Sequence, residues 1–140
     1  MRVCDLMQTE VRTVDASTRL DVVEKLMREE VIRHLPVVDG GRVVGMVTQR
    51  DLLRSGLSPI LRAGPATEQQ WLAETRVDQI MTKPVLHAHP EADLAHAVAL
   101  MVRERIGCLP VIEDERLVGM LSETDCLRYL SRLLQEGTRG

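Results

Sequence analysis

The chain has 140 residues, 44% of them apolar, with one Trp, one Tyr and no Phe; that is enough to bury one aliphatic core of layered strands and helices and too little for two large ones. A net charge of -3 from 18 basic and 21 acidic interspersed residues, with no basic run and almost no stacking aromatics, excludes nucleic acid as a partner. No apolar stretch approaches the length of a membrane span, and Met1-Arg2-Val3-Cys4-Asp5 leads into nothing like a signal-peptide core, so a cytoplasmic location off the membrane is expected. Cys4, Cys108 and Cys126 are odd in number and widely spaced, which reads as reduced thiols.

In chain order, a small turn around Asp5-Leu6-Met7 precedes a short extended piece, Val11 to Val14. Leu20, Val23, Leu26, Met27 and Val31 then recur at spacings of three and four, predicting an amphipathic helix that Ser17 or Thr18 would cap. Next come two near-continuous apolar runs, His34 to Val38 and Arg42 to Thr48, joined by Asp39-Gly40-Gly41, a direct hairpin signal. A second helical pattern follows Thr48. Gly56, Pro59, Gly64 and Pro65 break regular structure, and residues 66 to 75 predict a short helix carrying Trp71, within a linker long enough to be either mobile or docked.

Beyond the linker the pattern returns. Residues 3–54 align without a gap on residues 77–128, with 18 identical pairs against roughly 3 or 4 expected by chance at ordinary composition. The chain is therefore a duplication. Its second copy has a turn around Gln79-Ile80-Met81, an extended piece from Val85 to Ala88, and a helix opened by Pro90-Glu91 and carrying Leu94, Ala97, Leu100, Met101 and Ile106. The second hairpin, Cys108 to Ile112 and Arg116 to Ser122, is joined by Glu113-Asp114-Glu115, whose turn type the sequence leaves open. The expected fold is α/β (α+β): two units of strand, helix, strand, strand, helix, paired face to face. Repeat 1 spans 1–55, a linker 56–76, repeat 2 77–135 and a tail 136–140.

The unit order, the Leu-Pro-Val that opens each hairpin, and Gly45-Met46-Val47-Thr48-Gln49-Arg50-Asp51 with Gly119-Met120-Leu121-Ser122-Glu123-Thr124-Asp125 closing it resemble the CBS domain. The resemblance implies a Bateman module, a regulatory, non-catalytic pair of repeats packed pseudo-symmetrically through their sheets, whose clefts hold AMP, ADP, ATP, S-adenosylmethionine or a related adenosyl ligand. It also implies pairing of two chains into a disc of four repeats and signalling to a protein partner. The length leaves no room for an attached enzyme or channel, so the chain resembles a stand-alone bacterial-type pair that needs no cofactor.

Thr48 with Asp51, and Ser122 with Asp125, bear two readings. A hydroxyl residue followed three positions later by an acid is close to a capping box. The same geometry offers helix N–H groups and a hydroxyl to a phosphate, while an ionised Asp, an acceptor only, suits the adjacent hydroxyls of a ribose. In the resembling family the acid holds the ribose and the hydroxyl residue faces the phosphate. By the same resemblance, adenine would lie against Thr13, Val14, His34 and Leu35 in the first copy and His87, Ala88, Cys108 and Leu109 in the second. Arg33, Arg50, Lys83 and Arg105 are candidate phosphate partners. Since Arg33 aligns with Gly107 and Arg50 with Thr124, the first copy suits a charged phosphate chain better. His87-x-His89, with His96 downstream, lacks a completing ligand set, so no metal site is expected. No nucleophile elbow or phosphate-binding loop supports an enzyme. The alternative function is a structural dimerisation module with empty clefts.

Overall fold

The computed structural model describes residues 1–55 and 65–139. The chain divides into two compact units, and they cut across the sequence repeats: Arg12–Val85 forms one, while Met1–Val11 joins the chain from Leu86 onward to form the other. The leading segment of each repeat is thus packed in the unit that holds the other repeat's hairpin.

In the unit Arg12–Val85, β1 (Val14–Asp15) pairs parallel with β2 (His34–Asp39), which pairs antiparallel with β3 (Arg42–Thr48). Helix α1 (Leu20–Glu30) connects β1 to β2, and α2 is helical over 49–55. The linker helix is α3 (Pro65–Glu74); it packs on α1, and Trp71 and Leu72 lie against the core built from Leu20, Val23, Met27, Leu35, Val37, Val47 and Val77. Linker residues 56–64, with the expected breaks Gly56, Pro59 and Gly64, lie outside the described residues.

The other unit repeats the plan. Helix α4 (Leu94–Glu104) precedes the hairpin of β4 (Cys108–Glu113) and β5 (Arg116–Ser122), and α5 (Glu123–Arg139) follows it. Its core is Val3, Ala88, Leu94, Ala97, Met101, Leu109, Val111 and Leu121. Both hairpins carry a bulge at the same place, after Val37 and after Val111.

Several local expectations are corrected. Neither Ser17 nor Thr18 caps α1: Ser17 donates through its N–H and its hydroxyl to Asp15, and the N-cap is Arg19, with no side-chain cap. The first helical N–H, that of Leu20, donates to the Thr75 carbonyl at 2.9 Å, so packing against the linker satisfies one of the orphan donors at the helix start. α4 starts after Asp93, which accepts from Ala95 N–H, and not at Pro90-Glu91. Val31 is the left-handed C-cap of α1, 84% exposed, and no part of the core. The extended pieces shrink to β1 and a single bridge at Ala88.

The open question of the second turn is answered by its backbone. Gly40 and Gly41 adopt φ 58 and 83, and Asp114 and Glu115 adopt φ 52 and 68. Both are two-residue turns with two left-handed positions, the form whose twist matches a hairpin; the second achieves it without glycine, at a conformational cost.

Each closing strand carries a glycine because a methionine from the exchanged segment lies on it. The three atoms nearest to a Cβ on Gly45 all belong to the Met81 side chain, whereas one on Gly119 would meet Met7 Sδ at 2.7 Å and the Gln8 backbone carbonyl at 2.8 Å. Both Gly→Ala changes over-pack the sheet, at about 1 to 3 kcal/mol. Gly119→Ala is expected to sit at the upper end and Gly45→Ala at the lower, because a thioether can swing aside and a hydrogen-bonded carbonyl cannot; urea denaturation of the two variants checks the order.

Candidate functional site

In each unit the last residue of the hairpin and the first turn of the next helix form a compact polar knot. In the unit Arg12–Val85, Thr48 N–H donates to Asp51 Oδ2 at 2.8 Å, and Asp51 N–H donates to Thr48 Oγ1 at 3.1 Å. In the other unit Ser122 N–H donates to Asp125 Oδ2 at 3.0 Å, and Asp125 N–H donates to Ser122 Oγ at 3.1 Å. The capping boxes are fully formed in both copies, and the Ser122 hydroxyl adds a bond to Asp125 Oδ2 at 2.8 Å. One carboxylate oxygen, Oδ2, does the capping each time.

The hairpin registers bring further candidates to the same end. His34 pairs with Thr48 and Cys108 with Ser122. Gln49 N–H donates to the Arg33 carbonyl and Glu123 N–H to the Gly107 carbonyl, both at 2.9 Å. Thr48, Asp51, Arg33, His34 and Arg50 thus gather at one hairpin end, with Arg33 and Arg50 exposed and His34 half-buried. At the equivalent end, Ser122, Asp125 and Cys108 stand beside Gly107, Glu123 and Thr124.

Other expected site residues are placed differently. Leu35 and Leu109 are fully buried and Val14 and Ala88 nearly so, with their side chains in the two cores, so these four offer little side-chain surface to a base. Ala88 has no spare backbone either: its N–H donates to the Pro110 carbonyl at 3.0 Å and its carbonyl accepts from Ile112 N–H at 2.8 Å. Val14, its equivalent, is paired with Val37 in the ladder. Thr13, His87 and Lys83 are exposed, and Arg105 is the exposed left-handed C-cap of α4. His89 Nδ1 accepts from Glu91 N–H and its Nε2 lies 3.9 Å from Glu113 Oε1. Among the described residues, no group of three or more His, Cys, Asp or Glu side chains is placed to hold a metal.

The structure adds two residues to the knot that the sequence reading did not single out. Gln8 Nε2 donates to Asp125 Oδ1 at 3.0 Å, and Thr82 Oγ1 approaches Asp51 Oδ2 at 3.5 Å. They occupy equivalent positions in the two repeats, and the signal was available in the alignment only as a mismatch.

With this geometry established, comparison with known proteins places the chain. The model of the CBS domain matches residues 3–58 and again 77–132. The chain belongs to the CBS domain family. This CBS pair is 32% identical over 132 residues to a CBS domain-containing protein of Dictyostelium discoideum, covering 93% of this chain and 91% of that one. Two solved structures share its fold. One is the CBS domain pair of protein MJ0100 in complex with 5′-methylthioadenosine and S-adenosylmethionine, at TM-score 0.76, 26% identity and coverage of 94% and 96%. The other is CBSX2 in complex with AMP, at TM-score 0.77, 27% identity and coverage of 94% and 97%. A match to the homoserine O-acetyltransferase of Methanococcoides burtonii, 32% identical over 130 residues, spans 91% of this chain but only 24% of that enzyme. No helix among the described residues is long and apolar enough to cross a membrane.

The buried carboxylate marks its neighbours. Burial, and then the charge of Asp125, pushes the Cys108 thiol up to about 12 from 9.0, and the same two causes raise Cys126. The folded chain therefore keeps the Cys108 proton where the unfolded chain would lose it, so this contribution to stability is intact below pH 9 and falls away as pH rises from 9 toward 12. Cys108 in the native chain is expected to alkylate at pH 8 at least tenfold more slowly than in the unfolded chain, since thiolate is the reactive species. Peptide mass spectrometry after timed iodoacetamide labelling reads this out.

Proposed function

We propose that this CBS pair is a regulatory, non-catalytic module that binds an adenosyl ligand and passes its occupancy to a protein partner. The observation that carries the reading is the division of labour on Asp51: the described bonds its carboxylate accepts both fall on Oδ2, and Oδ1 is the atom we assign to a ribose diol while the cap stays intact. Arg33 and Arg50, exposed at the same hairpin end, supply charge for an attached phosphate. The ligands held by the MJ0100 pair and by CBSX2 support the class, adenine nucleotides or S-adenosylmethionine and its relatives. No resident cofactor is required.

One observation favours a purely structural module: both boxes close on protein groups alone. Asp51→Asn separates the two readings, because the amide oxygen still accepts from Thr48 N–H while one acceptor is lost. Under the ligand reading, thermal-shift and calorimetric titration with AMP, ADP, ATP, S-adenosylmethionine and NAD finds a saturable ligand for the native chain, and the variant binds it at least tenfold more weakly with an unchanged fold. A chain that binds none of them is the structural module.

The module is proposed to work in the cytoplasm as a homodimer of four repeats. Supporting this, α5 exposes Leu127, Leu130 and Leu134 along one face at helical spacing. Leu130→Glu combined with Leu134→Glu is expected to convert a dimer into a monomer in sedimentation; an unchanged species would remove this face from the interface.

A further inference from the structure

We infer that Gln8 is a gate on the second copy of the site: its amide occupies the Asp125 oxygen that a ribose would need, so the two copies bind adenosyl ligands unequally. This rests on the adenosyl-ligand reading of the Thr/Ser–Asp knot and adds a residue that belongs to neither repeat motif.

The two copies place a side chain over the Asp from the same backbone position. Gln8 N–H donates to the Met120 carbonyl and Met120 N–H to the Gln8 carbonyl, both at 2.8 Å; Thr82 and Met46 exchange the same pair at 2.7 and 3.1 Å. The anchors are equivalent, so the difference lies in the side chains. The Gln8 amide is long enough to reach the far oxygen, Oδ1, at 3.0 Å, whereas the Thr82 hydroxyl reaches only the capping oxygen, at 3.5 Å. Asp125 is left with both oxygens engaged and 6% exposed, while Asp51 is half-buried with Oδ1 outside its described bonds.

Displacing Gln8 removes a charge-assisted hydrogen bond from a buried carboxylate, and an incoming diol must replace it before any affinity is gained. Gln8 itself is exposed, so its amide has water to turn to, and withdrawal is a rotation of one side chain. The surroundings act in the same direction for phosphorylated ligands. Where the first copy has Arg33, Gln49 and Arg50, the second has Gly107, Glu123 and Thr124, and the Glu123 carboxylate stands 3.1 Å from where a Gly107 Cβ would be. An uncharged probe isolates the gate from this electrostatic bias.

The test is calorimetry of the full chain with 5′-methylthioadenosine, comparing wild type, Gln8→Thr, Thr82→Gln and each of these with Asp51→Asn or Asp125→Asn. Gln8→Thr is expected to bind at the Asp125 site at least tenfold more tightly than wild type, in a binding event abolished by Asp125→Asn. Thr82→Gln, which gives the first copy the longer side chain, is expected to weaken the Asp51-dependent event by a similar factor and keeps the test in hand should Gln8→Thr fold poorly. Wild-type stoichiometry and affinity in both single variants, with an Asp51-dependent event still present, would overturn the gate and leave the adenosyl reading standing. No saturable binding in any variant would overturn both.

Discussion

Two pairs of backbone hydrogen bonds, Gln8 with Met120 and Thr82 with Met46, are the constraint on which the rest of the structure depends. Each ties the segment in front of one repeat to the closing strand of the other repeat's hairpin. Once those anchors are set, Val3 and Val77 are driven to full burial in the two cores, Met7 and Met81 lie on Gly119 and Gly45, and the next side chain is delivered to the carboxylate at the head of the following helix. A repeat of about 50 residues on its own would bury too little apolar surface. Exchange of leading segments is how each core here gains its missing wall.

The polar knot at the strand-to-helix junction shows how one residue serves structure and recognition together. An N-terminal helix turn needs acceptors for its N–H groups, and a carboxylate three residues in supplies one with a single oxygen. The second oxygen is then held at a fixed position by a cap that the fold already needs. Preorganisation of this kind lowers the ordering cost of binding. The same economy explains why the capping and recognition readings could not be separated by motif alone: both use the same atoms' neighbours, and only the assignment of bonds to Oδ1 or Oδ2 distinguishes them.

Much of the architecture was legible from the residues. The duplication, both hairpins and the helices followed from periodicity, turn residues and internal alignment, whereas the roles of Thr48, Asp51 and His34 at one hairpin end came with the resemblance to the CBS domain. What the alignment could not show is which partner each leading segment takes, because a repeat matches its own copy and the other copy equally well. Gln8 and Thr82 were invisible for that reason, since neither is near its aspartate in the chain. The cap of α1 was misread because Ser17 turns to Asp15 and the N-cap falls on Arg19, while the Leu20 N–H is met by the Thr75 carbonyl, 55 residues on. The Asp114-Glu115 turn was left open because it lacks the glycine by which such turns announce themselves.

The exchanged segments also order the events of synthesis. One unit, Arg12–Val85, is contiguous in the chain, whereas the other is assembled from Met1–Val11 and the stretch from Leu86 onward. As the polypeptide leaves the ribosome, the contiguous unit has all its parts first. Residues 1–11 meet their partners in β4 and β5 only once that hairpin has been made, so their contact with it closes a long loop of chain.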